Sequence, residues 1–171
     1  LKYFPDRWPV PVGEPLFDTQ ADALDVPDLG NNRFFQELLA QVDEIQQLTG
    51  SARGYLNWQG VLNTAFRLRG QEIFVDMVTA PERALHIFQV VAQTMIQAVQ
   101  MLYDRQRQYA IDYQFLSVSN CTVNMAGPRL YRQLLLPCDH SIREAFRNFG
   151  IHNCAWSVTP YIDAYASIPG V

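Results

Sequence analysis

The chain is short of basic charge. Against 17 Asp and Glu it sets only 13 Lys and Arg, a net charge of −4 over 171 residues, with a sequence pI near 5.3. No basic face is left to offset phosphate charge, which excludes a nucleic-acid module. Cysteine is scarce too: Cys121, Cys138 and Cys154 are widely spaced and odd in number, and so make no disulfide framework. Reduced thiols in a cytoplasmic setting are expected, with metal ligation as the sharper alternative. Purely apolar runs stop after a few residues, as at Leu134–Leu136, whereas a membrane span needs about 20. No leader pattern follows Leu1. Gly-rich phosphate loops, a Gly-x-Ser-x-Gly elbow, His-Glu-x-x-His and internal repeats are all missing. What remains is 49% hydrophobic and 18% charged, enough to bury a core. The length suits one domain, or part of a larger one.

Residues 1–30 hold Pro5, Pro9, Pro11, Pro15 and Pro27. Prolines this dense prevent a helix and interrupt a ladder, so an ordered loop packed by its aromatics is expected. From Phe34 to Leu48, apolar residues recur at three and four, predicting a helix with one apolar stripe; Asn31 or Asn32 can cap it and Gly50 can end it. The run Ala52–Leu56 reads as a short buried strand, Val61–Arg69 as a helix closed by Gly70, and Glu72–Met77 as a helical turn. Thr79, Pro81 and Glu82 form a capping-box start for a helix of about 28 residues, roughly 42 Å long at 1.5 Å per residue. Strands are expected at 113–118 and 149–154. Between them a helix opens at Gly127-Pro128 and is kinked at Pro137; a last helix starts at Thr159-Pro160.

Strands alternating with long helices indicate βαβ units and a parallel sheet. A full eight-stranded α/β barrel needs about 250 residues. The fold class is therefore α/β: a single partial (β/α)8 barrel, not closed, with open sheet edges, and a homo-oligomer is among the expected states. Leu1 in place of Met and the loop-like Pro169-Gly170-Val171 point the same way, to a piece of a longer protein.

The sharpest chemical signal is His152-Asn153-Cys154. Residues two apart on a strand share a face, and imidazole with thiolate is a donor pair that zinc favours. Barrel folds place function at this end of a strand. The bland reading is core or loop. Asn57-Trp58-Gln59-Gly60 and Asn120-Cys121-Thr122-Val123-Asn124 follow predicted strands, so Asn57, Trp58, Asn120, Cys121 and Asn124 are candidate pocket linings; a packed turn is the plain alternative. His86 and His140 read as surface or packing residues, Cys138 as core, and Asp76, Glu82 and Glu144 as surface charges or caps.

Gly127-Pro128-Arg129-Leu130-Tyr131-Arg132-Gln133-Leu134-Leu135-Leu136-Pro137, followed by Ile142-Arg143-Glu144-Ala145-Phe146 and then His152-x-Cys154, resembles the uroporphyrinogen decarboxylase superfamily. Gly70-Gln71-Glu72 with Pro81-Glu82 adds to the likeness, which covers about residues 51–168. The resemblance implies a (β/α)8 barrel and one of two chemistries. Zinc methyltransferases of the superfamily move methyl groups between a corrinoid and a thiol; His152 and Cys154 match two of their zinc ligands, and the third would lie beyond Val171. Ala155 stands where the usual glycine follows the Cys. The decarboxylases of tetrapyrrole synthesis work without metal; Tyr55 matches their substrate-site tyrosine, and Cys121 falls where they have a serine. A zinc-dependent methyltransferase acting with a small-molecule substrate and a corrinoid protein is the expectation. A decarboxylase or a non-catalytic binding domain is the alternative.

Overall fold

The computed structural model describes residues 2–4, 7–10, 13–54, 56–153 and 156–171, the first two stretches by backbone alone. The chain begins with β1 (Lys2–Phe4) and β2 (Arg7–Val10), an antiparallel pair, and then a short helix α1 (Asp18–Asp22). The expectation of a loop over 1–30 is thus corrected: β1, β2 and α1 form within it, with Pro9 inside β2.

Helix α2 (Arg33–Thr49) is capped as its sequence predicts. The Asn32 side chain accepts from the Phe35 N–H, and Gly50 ends the helix in the left-handed region. Its apolar stripe is only partly covered: Leu39 is buried, but Phe34 and Leu48 are 79% and 77% exposed. The expected strand at 52–56 is not formed among its described residues. The strand is β3 (Trp58–Gln59), which exists because it pairs in parallel with a strand far along the chain.

Helix α3 (Val61–Arg69) lies between Gly60 and Gly70 as predicted, and α4 (Glu72–Thr79) follows. The long α5 (Pro81–Arg107) starts at its proline, but the expected capping box is absent: Ala80 is the cap residue, and the Thr79 hydroxyl donates back to the Val75 carbonyl at 3.0 Å. The centre of the core is α5, where Ile87, Phe88, Val91, Val99 and Leu102 are buried. Asp76 is no surface charge. It is buried and accepts from Arg69 Nε at 2.8 Å and Arg83 Nη1 at 3.4 Å. Arg69 also bonds Asp18 and the Leu16 carbonyl, and Arg83 bonds Asp22 at 2.6 Å. Two guanidiniums thereby tie α1 to α3, α4 and α5.

Strand β4 (Phe115–Ser119) is central, between β3 and β5 (Asn148–His152), and all three run parallel. The molecule is mixed α/β, mostly helical, with a small open three-stranded sheet. Between β4 and β5 run α6 (Val123–Leu130), a π-turn (Tyr131–Leu135) and α7 (Leu136–Ala145). Gly127 breaks the helical path at φ 79°, ψ 160°, so Pro128 opens a new helical stretch as expected. Pro137 does not kink the chain in the ordinary way. It has no N–H for the Gln133 carbonyl, and on an α-helical path its ring would crowd that carbonyl; the path widens just upstream, where the Leu136 N–H reaches back five residues to the Tyr131 carbonyl. A 3-10 turn (Thr159–Tyr161) leads into α8 (Ile162–Ala166). Among the described residues no helix is long and apolar enough to cross a membrane.

Candidate functional site

Side chains alternate between the faces of a strand, and parallel register carries that alternation across the sheet. Trp58, Leu116, Val118, Phe149 and Ile151 share the face that packs on the helices. Phe115, Ser117, Ser119, Gln59, Asn148 and His152 share the other, where Asn148 and His152 are exposed, Ser117 and Gln59 are half-buried and Ser119 is buried. At its C-terminal edge Gln59 pairs with Ser119, and Ser119 with His152, so the three form one row across the strand ends. The Ser119 hydroxyl donates to Asn57 Oδ1 at 3.1 Å. Asn63, at the start of α3, donates to Gln59 Oε1 at 3.1 Å and accepts from the Thr122 N–H at 3.0 Å, bridging two strand-end loops. A third bridge runs from Asn124 Nδ2 to Asn153 Oδ1 at 2.9 Å.

The stretch 57–60, which contains β3 instead of following a strand, and the stretches 120–124 and 152–153 therefore gather at one end of the sheet, as the parallel reading requires. The candidates do not all share one surface. Asn57 and His152 are exposed, and Cys121 and Asn124 are half-buried. Trp58 turns to the helix side, where its indole N–H is buried without an acceptor among the described residues. It lines, with Asn57 and Gln59, a cleft of about 730 Å³ walled by Val91, Met95 and Ala98. Asn120 is buried beneath the loops, away from solvent. Tyr55 and Cys154 lie outside the described residues. Cys121 and Cys138 are not in a disulfide, and Cys138 is buried in the core as expected. His86 packs by its Nε2 on the Leu24 carbonyl at 2.8 Å.

Under the strand ends lies a polar cluster that the sequence reading missed. Asp139, just before His140 in the sequence, is buried on α7. Its Oδ2 accepts from the Tyr131 hydroxyl at 2.7 Å and from Asn120 Nδ2 at 3.0 Å. The rings of Tyr131, Tyr161 and Tyr165 pack around it, with Tyr131 edge-on to both others. Burial pushes the Asp139 carboxyl up to about 6, against the two hydrogen bonds, which pull it down. The same burial, helped by the Asp139 charge, raises the Tyr131 and Tyr165 hydroxyls and pushes the Cys138 thiol up to about 12. The available signal was the spacing of Tyr131 and Asp139, eight residues apart and about two helical turns. No protein-family model, curated protein or solved structure matches this chain.

Proposed function

We propose that the polar face of the sheet is the active face of a partial (β/α)8 barrel of the uroporphyrinogen decarboxylase type, and that the chain carries part of a zinc-dependent methyltransferase acting between a corrinoid and a thiol. The observation that supports this best is the row Gln59–Ser119–His152, three polar side chains in register at the strand ends. His152 is exposed there, so its imidazole is accessible to a metal, and the sequence supplies a cysteine two residues on. One imidazole and one thiolate suit zinc. Among the described residues no three His, Cys, Asp or Glu stand together, so a full ligand set draws on Cys154 and on a group beyond those residues. Zinc held at this place would keep a substrate thiol as its thiolate.

The chain's own polar groups then position the reactants. Exposed Asn57, held by the buried Ser119 hydroxyl, and half-buried Gln59 offer amide groups at the strand ends, and the Asn124–Asn153 bond fixes the two loops that flank His152. A corrinoid presented by a partner protein would supply the methyl group, and the residues at the strand ends would hold the substrate sulfur toward it. A cytoplasmic setting suits both a thiol substrate and reduced cysteines.

Zinc titration by calorimetry tests the reading on the chain as it stands. Weak binding is expected, because a catalytic zinc normally has three protein ligands, and it should vanish in His152→Ala and in Cys154→Ser. His152→Ala should keep the wild-type melting curve, since the side chain is exposed. Equal zinc binding by all three proteins, or none by the wild type, overturns the methyltransferase reading and favours a metal-free decarboxylase or a binding domain.

A further inference from the structure

We propose that Asp139 is a proton-operated latch on the strand-end loops, its carboxyl gripping Asn120 when ionised and loosening it when protonated. Three features of the geometry lead there. The first is that Asn120 joins all three strand ends. Its N–H donates to the His152 carbonyl at 2.8 Å, and the Gly60 N–H donates to the carbonyl of Ser119 at 2.9 Å. The Asn120 side chain then passes Gly60 so closely that a methyl group on Gly60 would overlap its amide oxygen. Whatever holds the Asn120 amide therefore holds β3, β4 and β5 where the polar row ends.

The second feature is that Asp139 holds that amide with no cation among the described residues to help it. Its hydrogen-bonding surroundings are Tyr131 from the π-turn and Asn120 from the end of β4. From its own helix comes the buried Cys138 thiol, and from α8 the Tyr165 hydroxyl, both within its field. Tyr161, on the 3-10 turn, is committed to the Val123 carbonyl at 3.1 Å. From α5, the buried polar side chains Tyr103 and Gln106 bond elsewhere, to the Phe115 carbonyl and to the Ala52 and Gly54 carbonyls. Among the described residues no arginine or histidine acts on the carboxyl. A buried carboxylate without a counter-charge is held only by its donors, and burial favours the neutral acid.

The third feature is a waiting acceptor. The Tyr165 hydroxyl is buried beside Asn120 yet makes no well-formed hydrogen bond. A protonated Asp139 needs an acceptor for its O–H, and the Tyr165 hydroxyl oxygen, in the field of the carboxyl, is an unpartnered polar atom of the cluster. Protonation from solvent thus recruits Tyr165 and weakens the bond to Asn120, because a charge-assisted hydrogen bond is about twice as strong as a neutral one. The loop at 120–124 then loosens in acid and tightens toward neutral pH, whatever ligand the face above it takes.

Carbon and nitrogen NMR of the full chain across pH about 4–8 reads the latch. The Asp139 carboxyl carbon should titrate with a midpoint near 6, and the Asn120 and Gly60 amide signals should move with the same midpoint. Tyr131→Phe removes a donor that favours the ion, so it should raise all three midpoints together by about half a unit or more. Asp139→Asn should flatten the Asn120 and Gly60 curves; should that variant fail to fold, Tyr131→Phe decides alone. The proposal is overturned if Asp139 titrates near 4 like an exposed aspartate, if Asn120 and Gly60 stay flat while Asp139 titrates, or if Tyr131→Phe leaves the midpoints unmoved.

Discussion

The two faces of the three-stranded sheet are built from the same strands, one residue apart. Leu116, Val118 and Phe149 point to the helices and are buried, whereas Ser117, Asn148 and His152 point the other way, and Asn148 and His152 are exposed. Parallel sheets are ordinarily covered on both sides and apolar on both. Here the alternation is that of a half-solvated sheet, although the strand direction is that of a buried one. A parallel sheet with one polar face has a reason to keep it, and that face is where His152, Ser119 and Gln59 line up.

Substitutions that treat the faces alike should expose the difference. The largest effect is expected on the helix side: Leu116→Ala deletes a fully buried side chain and should cost about 3 kcal/mol in urea unfolding. A loss under about 1 kcal/mol would mean that the helix layer does not hold this sheet. Next comes the pH dependence set at the seam by Asp139. Its folded value, about 6, lies above the ordinary 3.8, so the native state binds the proton more tightly than the unfolded chain. Its stabilising contribution is complete below about pH 4 and is lost as pH rises through about 6, on the order of 2–3 kcal/mol. Asp139→Asn should remove that slope from a plot of unfolding free energy against pH; an unchanged slope assigns it to another group.

Gly60→Ala tests the strand-end contact between the faces. The new methyl would meet the Asn120 amide and press on the Ser119 carbonyl at 2.9 Å, for about 1–3 kcal/mol. A wild-type melting temperature would show that the loop gives way. The smallest effect belongs to the polar face. Ser117→Ala should change stability by less than about 0.5 kcal/mol, and a cost near that of Leu116→Ala would erase the contrast between the faces.

Local signals were legible and long-range ones were not. Asn32, Gly50, Gly60 and Gly70 mark helix ends through short-range chemistry, and α2 and α3 start and stop where those residues say. Periodicity announces a helix without saying what covers it: α2 and α5 both carry apolar stripes, yet Phe34 and Leu48 face solvent while Phe88 and Val99 are buried. The strand at β3 was misplaced because two residues carry little pattern, and pairing of Trp58 with Val118 decides the matter. Asp76 read as a surface charge because its partners, Arg69 and Arg83, come from two other helices. For the site, the convergence of the strand-end loops followed from parallel direction alone. The inward turn of Trp58 and the burial of Asn120 depend on register and on Asp139, neither of which a single stretch of sequence displays.

The π-turn has a bearing on how this segment can vary. It houses one residue more than an α-helical path would, and that surplus lets Pro137 sit inside a continuous helical run. It also sets the angle at which Tyr131 meets Asp139. Removing one residue between Tyr131 and Pro137 would swing the tyrosine by about 100° around the axis relative to α7, stripping the carboxylate of its hydroxyl partner and returning the proline ring to the carbonyl it now avoids. The side chains of Arg132 and Gln133 are exposed, so exchanging them leaves both relations intact. At Arg132 and Gln133 this stretch therefore tolerates exchange of side chains but not of length, whereas Tyr131, Leu134 and Leu135 are buried and fixed by what they pack on.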